Sequence, residues 1–249
     1  SQGKLWFAGF SMTRGVRQGC PLSPLLFTAV SELFLRRLRA HLPSAVTRSW
    51  ADDIAMVLRN GLGDLGLVSS MFSDFSQVSG LQLHIGKTVL IPLFPHSTLD
   101  LRAAVTHAAP SWIGITIRGW ARYLGFAVGP DKGSHSWTAP SEKFLQRAGV
   151  WGRFGAGLHL SMRAFMVYIA TVLGFVAQLE APPADFEYTL NKAVRLLFPG
   201  PMAWVTKEVL HDARLLGFPC DLVDVSQVAI AAKSKVFRTE NRRHGGLNI

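Results

Sequence analysis

Cysteine is scarce in this sequence, and the few cysteines present form no recognisable framework. Cys20 and Cys220 lie 200 positions apart, with no CxxC pair and no cluster of histidine and cysteine at ligand spacing. Zinc sites and disulfide scaffolds need closely spaced sets of such residues. The sequence therefore indicates neither kind of site, and it fits a reducing compartment.

The chain also lacks an apolar run of the length that a membrane span requires. Its most apolar stretch, residues 164–179, is uncharged over 16 residues and is bounded by Arg163 and Glu180. A membrane-spanning helix needs about 20 such residues. We therefore expect this stretch to form a buried helix, and we expect no membrane partner.

Acidic residues are in the minority, with 16 Asp and Glu against 26 Lys and Arg, for a formal net charge of +10. A basic surface attracts phosphate backbones and acidic membranes, so the charge favours an anionic partner without identifying it. Of the 249 residues 49% are hydrophobic, which is a core-forming composition that argues against general disorder. The length suits one large domain or two small ones.

Local patterns predict helices and strands together in the first half of the chain. Ser23 at a cap position and Pro24 at the first helical position predict the start of a helix that Pro43 ends. Residues 45–50 and 54–58 predict a β-hairpin with an acidic pair at or beside its tip.

Downstream of this hairpin the patterns predict another helix and a short strand. The helix continues to about residue 78 and closes at Ser79-Gly80, since glycine is a usual helix stop. Residues 87–92 predict a strand. Residues 94–111 carry two prolines and no clean period, so we expect a loop or an irregular insertion there.

Two further β-branched and aromatic runs, residues 113–117 and 123–128, are separated by Gly119 and predict a second hairpin. After Pro130 the apolar residues recur at helical spacing, so the second half is expected to be helical. The predicted helices cover residues 141–154, 160–180, 185–198, 203–216 and 222–238.

One run near the start of the chain combines residue types that a core element does not need. The run is Arg14-Gly15-Val16-Arg17-Gln18-Gly19-Cys20-Pro21-Leu22-Ser23-Pro24. Gly15 and Gly19 would let a nucleic-acid strand approach the backbone, Gln18 offers a donor and an acceptor, and the arginines offer phosphate contacts. An ordinary loop before a helix is the alternative for any short part of the run, but its full length favours a binding loop.

About 30 residues later the chain carries Trp50-Ala51-Asp52-Asp53. Adjacent side chains of a regular strand point to opposite faces, so the two acids can converge only where a turn breaks the alternation. Two adjacent acids also repel one another unless a cation is near, and carboxylates are preferred ligands of Mg²⁺. A solvated turn is the alternative for an Asp-Asp pair taken alone.

In this order and at this distance, the two runs resemble the middle of a reverse transcriptase palm of the kind carried by non-LTR (LINE-type) retrotransposons. The resemblance implies two-metal nucleotidyl transfer with Mg²⁺ or Mn²⁺. It makes Asp52 the essential metal ligand and catalytic residue, and Asp53 a supporting one. Trp50 stands where the family usually has Tyr or Phe.

The resemblance also implies binding roles for residues outside the acidic pair. Arg17, Gln18 and Gly19 would contact the template strand and the incoming nucleotide. Lys87 resembles a family lysine that lies close to the triphosphate, and the box that supports the primer strand is Tyr123-Leu124-Gly125. The implied partners of the complete enzyme are an RNA template, a DNA primer and a dNTP.

The implied fold is α+β, beginning with a partial right-hand polymerase palm made of a helix, the Asp-Asp hairpin, a second helix and strands. This palm would cover residues 1–129. A mostly helical thumb and connector region would cover residues 130–249. Because elements of this class act at chromosomal targets, the nucleus is the expected location.

One expected part of the catalytic site is missing from the sequence. Reverse transcriptases take another catalytic carboxylate from a strand upstream of the Gly15 loop, but residues 1–13 contain no Asp or Glu. The chain also opens on Ser1-Gln2-Gly3-Lys4, with no initiating Met. We therefore expect a fragment without the fingers and the upstream palm segment, which does not polymerise by itself.

Two alternatives to this hypothesis remain open. In the first, the chain is a catalytically inactive nucleic-acid-binding module whose affinity falls with salt. In the second, it is a decayed retroelement fragment without a function, and its exposed apolar surface promotes aggregation.

Overall fold

A computed structural model of the protein describes residues 19–244, and the contacts divide the chain into two compact units between Tyr123 and Leu124. The first unit combines helices with short strands, and the second is mostly helical. This mixture of helices and small sheets confirms the predicted α+β class.

Helix α1 covers Ser23–His41 and ends, as predicted, just before Pro43. The predicted cap is wrong by one residue, because Leu22 occupies the capping position and Ser23 is the first helical residue. The Ser23 N–H donates to the Cys20 carbonyl oxygen at 3.1 Å. A main-chain carbonyl therefore accepts from one of the N–H groups that the first turn of a helix leaves without an intrahelical partner.

Strands β1 (Val46–Trp50) and β2 (Asp53–Val57) form the predicted antiparallel hairpin, with Trp50 directly opposite Asp53. Ala51 and Asp52 form its two-residue turn. The prediction of an acidic pair at or beside the tip of a hairpin is confirmed.

Helix α2 (Gly61–Ser79) follows the hairpin and packs against α1. It ends where the sequence predicts, at Gly80, whose φ of 72° lies in the left-handed region that favours glycine. Phe34 on α1 stacks on Phe75 of α2 with ring centroids 4.4 Å apart. The buried core of this unit consists of Phe34, Leu35, Leu38, Leu42, Leu65, Val68, Met71, Val105, Ala109, Trp112 and Ile115.

The prediction of a loop over residues 94–111 is wrong, because this segment contains helix α3 (Thr98–Ala108). Leu101 and Val105 lie one turn apart on this helix, and both are buried. A short helix owes most of its stability to the burial of such a stripe, so the weak local signal did not reveal it.

The predicted second hairpin is also wrong, because strand β4 (Thr116–Ile117) pairs in parallel with strand β3 (Val89–Leu90) and not with residues 123–128. A parallel pair needs a crossover connection, and α3 lies in that connection. The strand predicted over residues 87–92 is shorter because the 3₁₀ turn Ile85–Lys87 precedes it.

Two short strands replace the single strand predicted over residues 123–128. Strand β5 (Ala121–Tyr123) ends the first unit, and strand β6 (Phe126–Val128) begins the second. Between them Leu124 and Gly125 have positive φ values of 49° and 90°. A continuous strand does not contain such values, so the chain turns at this point.

The helices of the second unit agree with the prediction in their order and differ in their bounds. The first of them begins well before the predicted residue 141, because Trp137 is buried and the Ala127 N–H donates to Ser136 Oγ at 2.7 Å. The helices are α4 (His135–Phe154), α5 (Gly157–Ala164), α6 (Phe186–Leu197), α7 (Lys207–His211) and α8 (Val225–His244).

The single helix predicted over residues 160–180 is replaced by a series of shorter turns. Helix α5 continues into a π-helical turn, Phe165–Ile169, and then into 3₁₀ turns at Ala170–Leu173 and Val176–Gln178. All of these return apolar side chains to one side about every third or fourth residue, so the sequence pattern does not separate them. Across residues 19–244, no helix has both the length and the apolarity of a membrane span.

Helix α4 packs on α6 at a glycine. Gly152 is buried, and a β-carbon at this position would overlap the carbonyl oxygen of Leu196. Gly149 is also buried on α4, but a β-carbon there would meet only Arg153 Nη1, at 3.8 Å. The two glycines therefore differ in what a side chain would contact.

Helix α1 has a second apolar face, which the first unit leaves exposed. Phe34, Leu35 and Leu38 are buried in the core, whereas Leu25 and Leu33 are 68% and 70% exposed. Contiguous apolar surface of this kind promotes association. The exposed face consists of Leu22, Leu25, Leu26, Val30 and Leu33.

We expect the double variant Leu25→Gln, Leu33→Gln to reduce self-association of the polypeptide, as measured by light scattering against concentration. Its free energy of unfolding should change by less than about 1 kcal/mol, because both side chains already lie in water. The control is Leu38→Gln, which buries an amide in the core and should lower stability instead. Unchanged scattering by the double variant would contradict the expectation.

Candidate active site

The acidic pair lies in and beside the tight turn between β1 and β2. Asp52 is the second residue of that turn, and Asp53 is the first residue of β2. Ala51 has a φ of 50°, in the left-handed region that two-residue hairpin turns favour. This conformation costs a residue with a β-carbon about 1–2 kcal/mol. Backbone strain of this kind concentrates at functional sites.

The register of the hairpin decides which way its side chains face. Residues directly opposite one another share a face of the sheet, so Asp53 lies on the same face as Trp50. Ile54 and Met56 lie on the opposite face of β2, and both pack against the core of the first unit. Trp50 is 71% exposed, so the face that carries Trp50 and Asp53 is open to solvent near the tip.

Asp52 and Asp53 have no counter-charge in the described part of the chain. Both residues are exposed, and neither forms an ion pair with any residue of 19–244. Adjacent carboxylates without a cationic partner suit a hard cation such as Mg²⁺, which prefers oxygen ligands. The donor set fits a divalent metal, although the described residues contain no group of three or more His, Cys, Asp or Glu that could hold one.

The structure brings one other predicted site residue to this hairpin. The Tyr123 hydroxyl donates to the main-chain carbonyl oxygen of Arg48 on β1 at 3.4 Å. The predicted primer box therefore begins beside the strand that leads to the acidic pair. Arg48 was not among the predicted site residues, although its position two residues before Trp50 places it on the same face.

Gly19 is the first described residue of the predicted template and nucleotide loop. Its φ is 87°, and a β-carbon there would meet no atom within 4 Å. Backbone conformation, and not lack of space, therefore favours glycine at this position. Arg17 and Gln18 lie outside the described residues.

Lys87 ends the 3₁₀ turn Ile85–Lys87, and its N–H donates to the His84 carbonyl oxygen at 3.0 Å. Its side chain is exposed and forms no ion pair with the residues that the structure describes. No hydrogen bond within residues 19–244 joins Lys87 or Gly19 to the acidic pair. Within residues 19–244, Tyr123 is thus joined to the acidic hairpin through Arg48 and not to Asp52 or Asp53 directly.

A family model matches the part of the chain that carries the acidic hairpin. The sequence model of the family described as reverse transcriptase (RNA-dependent DNA polymerase) matches residues 3–128, just over half of the chain. The matched segment includes the acidic hairpin, Gly19, Lys87 and the primer box. Members of this family normally use divalent metal ions and act on a nucleic-acid template and primer with nucleotide substrates. The chain belongs to the reverse transcriptase family.

Proposed function

We propose that this chain is the C-terminal part of the palm, followed by the thumb, of a non-LTR (LINE-type) retrotransposon reverse transcriptase. In the complete protein it would take part in RNA-directed DNA synthesis. One observation carries the proposal. The segment that matches the family presents two exposed carboxylates at a hairpin tip, with no cationic partner among residues 19–244.

The acidic pair and the glycine-containing loop have the central roles in this proposal. Asp52 and Asp53 would hold Mg²⁺ or Mn²⁺, which when bound neutralises charge on the phosphates and activates the attacking 3′ hydroxyl. Arg17, Gln18 and Gly19 would position the template strand and the incoming nucleotide. The open space beside Gly19 supports this role, since no described atom lies within 4 Å of where a β-carbon would stand and a backbone without a side chain admits a close neighbour.

Two further elements would position the other substrates. The exposed ammonium of Lys87 would contact the triphosphate. Tyr123, Leu124 and Gly125 would support the primer strand. The hydrogen bond from the Tyr123 hydroxyl to Arg48 supports this role, because it holds the first residue of the box against the acidic hairpin.

The assignment to the non-LTR class and to palm and thumb rests on resemblance, above all that of residues 14–58. After residue 129 the resemblance is limited to Trp151, the apolar stretch around residues 160–179 and Phe198-Pro199-Gly200. We place the palm at residues 1–129 and the thumb and connector at residues 130–249. The contacts divide six residues earlier, after Tyr123, and the helical second unit supports the thumb and connector assignment. A nuclear location would follow from action at chromosomal targets.

We infer that residues 1–249 do not extend a primer by themselves. Only the Asp52–Asp53 pair is assigned to the metals, and residues 1–18 contain no Asp or Glu. Two-metal sites clamp both the attacking and the leaving oxygen, which calls for a further acidic ligand. Residues 19–244 contain no group of three or more His, Cys, Asp or Glu that could hold a metal. We therefore infer that this ligand would come from outside residues 1–249 and that the polypeptide alone would act as a nucleic-acid-binding module.

Primer extension tests this inference. With an RNA template, a DNA primer, dNTPs and Mg²⁺, we expect residues 1–249 to incorporate no more nucleotide than their Asp52→Asn variant. Anisotropy should show that both proteins bind the RNA–DNA hybrid with an affinity that falls with salt.

Two outcomes would contradict parts of the proposal. Mg²⁺-dependent incorporation that Asp52→Asn removes would contradict the inactivity of the isolated polypeptide, while it would support the polymerase assignment. A soluble protein without affinity for the hybrid would contradict the nucleic-acid-binding role and would favour a decayed fragment.

A further inference from the structure

An open pocket in the second unit combines aromatic rings with an arginine. It has a volume of about 540 Å³ and is lined by Val150, Trp151, Arg153, Phe154 and Tyr168. All five residues lie outside the segment that matches the reverse transcriptase family. The metal, template, nucleotide and primer roles proposed above involve none of them.

The aromatic side chains of the pocket contact one another edge to face. Trp151 and Phe154 on α4 have ring centroids 5.9 Å apart with an angle of 68° between the rings. Trp151 also contacts Tyr168, at 6.4 Å and 63°. Phe154 is 76% exposed, so its ring is open to a planar ligand while Trp151 and Tyr168 form the adjoining wall.

Arg147 holds one wall of the pocket in place. Its guanidinium carbon lies 3.9 Å from the centroid of the Tyr168 ring, and its Nη1 donates to the Tyr168 carbonyl oxygen. The cation–π contact stabilises the ring from one side. Tyr168 belongs to the π-helical turn Phe165–Ile169, a kind of irregular turn that is frequent at functional sites.

The segment that supplies the pocket residues carries only positive charge between Glu142 and Glu180. Residues 143–179 contain four lysines and arginines and no Asp or Glu. Arg153, which lines the pocket, forms no ion pair with any described residue. A site that binds an apolar protein surface needs no excess of cations, whereas a site that binds a phosphate backbone does. The four cations are Lys143, Arg147, Arg153 and Arg163.

We propose that this pocket binds an unpaired base of single-stranded RNA or DNA. The base stacks on Phe154, and a neighbouring phosphate lies at Arg153. Exposed aromatic rings beside a positively charged surface are the two features that single-strand binding sites share, because every base has a π-face and every nucleotide a negative charge. The site does not depend on polymerase chemistry, since its residues are separate from Asp52 and Asp53.

The test is fluorescence anisotropy with labelled oligonucleotides of about 12 nucleotides, an oligo(dT), an oligo(rU) and an abasic strand of the same length. Residues 1–249 should bind the strands with bases about tenfold more tightly than the abasic strand. Phe154→Ala and Phe154→Leu should remove that preference, because both lack the ring. Arg153→Gln should weaken binding of all three strands and reduce the slope of affinity against salt by about 1.

Matched controls separate this site from general charge and from folding. Tyr188→Ala removes another exposed aromatic side chain of the second unit, and Arg214→Gln removes an arginine that pairs with Asp221. Both controls, and Asp52→Asn, should bind as the parent protein does. Thermal unfolding of each variant identifies any that fail to fold, and because Phe154 is mostly exposed its variants should melt as the parent does.

The proposal is overturned if the parent protein binds abasic and base-containing strands equally, because binding would then be a matter of phosphate charge alone. Equal losses in Phe154→Ala and Tyr188→Ala would overturn it as well. Binding of oligo(dT) but not oligo(rU), or the reverse, would retain the site and identify the strand that it takes.

Discussion

Replacing Asp52 by asparagine is expected to abolish binding of Mn²⁺ or Mg²⁺ by residues 1–249. The amide has nearly the shape of the carboxylate but no charge, and it leaves Asp53 as a single anionic ligand at the hairpin tip. With both carboxylates the affinity should be roughly millimolar, because so few anionic ligands are present. Titration calorimetry, or the loss of the free Mn²⁺ signal in electron paramagnetic resonance, measures it.

The matched control is Asp131→Asn, which removes an exposed carboxylate from a loop of the second unit and should leave binding unchanged. Equal heats for the parent protein and Asp52→Asn would mean that the acidic pair does not bind the metal. In any longer form of the protein that synthesises DNA, Asp52→Asn should lower the rate about a thousandfold, because metal stabilisation of the transition state is worth several kcal/mol.

The second large effect is expected at the packing of α4 on α6. Gly152→Ala should destabilise the second unit by about 3 kcal/mol, because the new methyl group overlaps the carbonyl oxygen of Leu196 and the helices must separate to admit it. Small residues allow two helix backbones to approach closely, and here the approach leaves no room for a β-carbon. Urea unfolding followed by circular dichroism measures the loss.

Gly149→Ala is the matched control, and the expected change has the opposite sign. Gly149 is buried on the same helix, but its β-carbon would only touch the flexible end of Arg153 at 3.8 Å. Alanine favours a helix interior over glycine by about 1 kcal/mol, so this variant should be more stable than the parent. If the two substitutions changed the stability equally, the close packing of α4 on α6 at Gly152 would be contradicted.

The parts of the structure that were predicted correctly depend on short stretches of sequence. The ends of α1 and α2 follow from Pro43 and Gly80, whose backbone preferences act on their immediate neighbours. The acidic hairpin follows from two short runs and the turn between them. In the same way, the motif that places Asp52 at a turn could be recognised without any knowledge of what packs around it.

The parts that were wrong depend on residues far apart in the chain. Helix α3 is found where a loop was predicted, and the parallel pairing of β3 with β4 is found where a hairpin was predicted. Burial of Leu101 and Val105 stabilises this crossover, which local propensity does not specify. The change from α5 to a π-helical turn is likewise set by packing, since the spacing of apolar residues is similar in both.

The sequence alone determined the family, the acidic pair and its position at a turn. Each depends on contiguous residues whose chemistry and backbone preferences act locally. Only the tertiary structure decided that the Tyr123 hydroxyl meets β1 across 75 positions and that Phe154, Trp151 and Tyr168 line one pocket. Contacts between residues far apart in the chain depend on which apolar surfaces bury one another, and that packing is set by the whole unit.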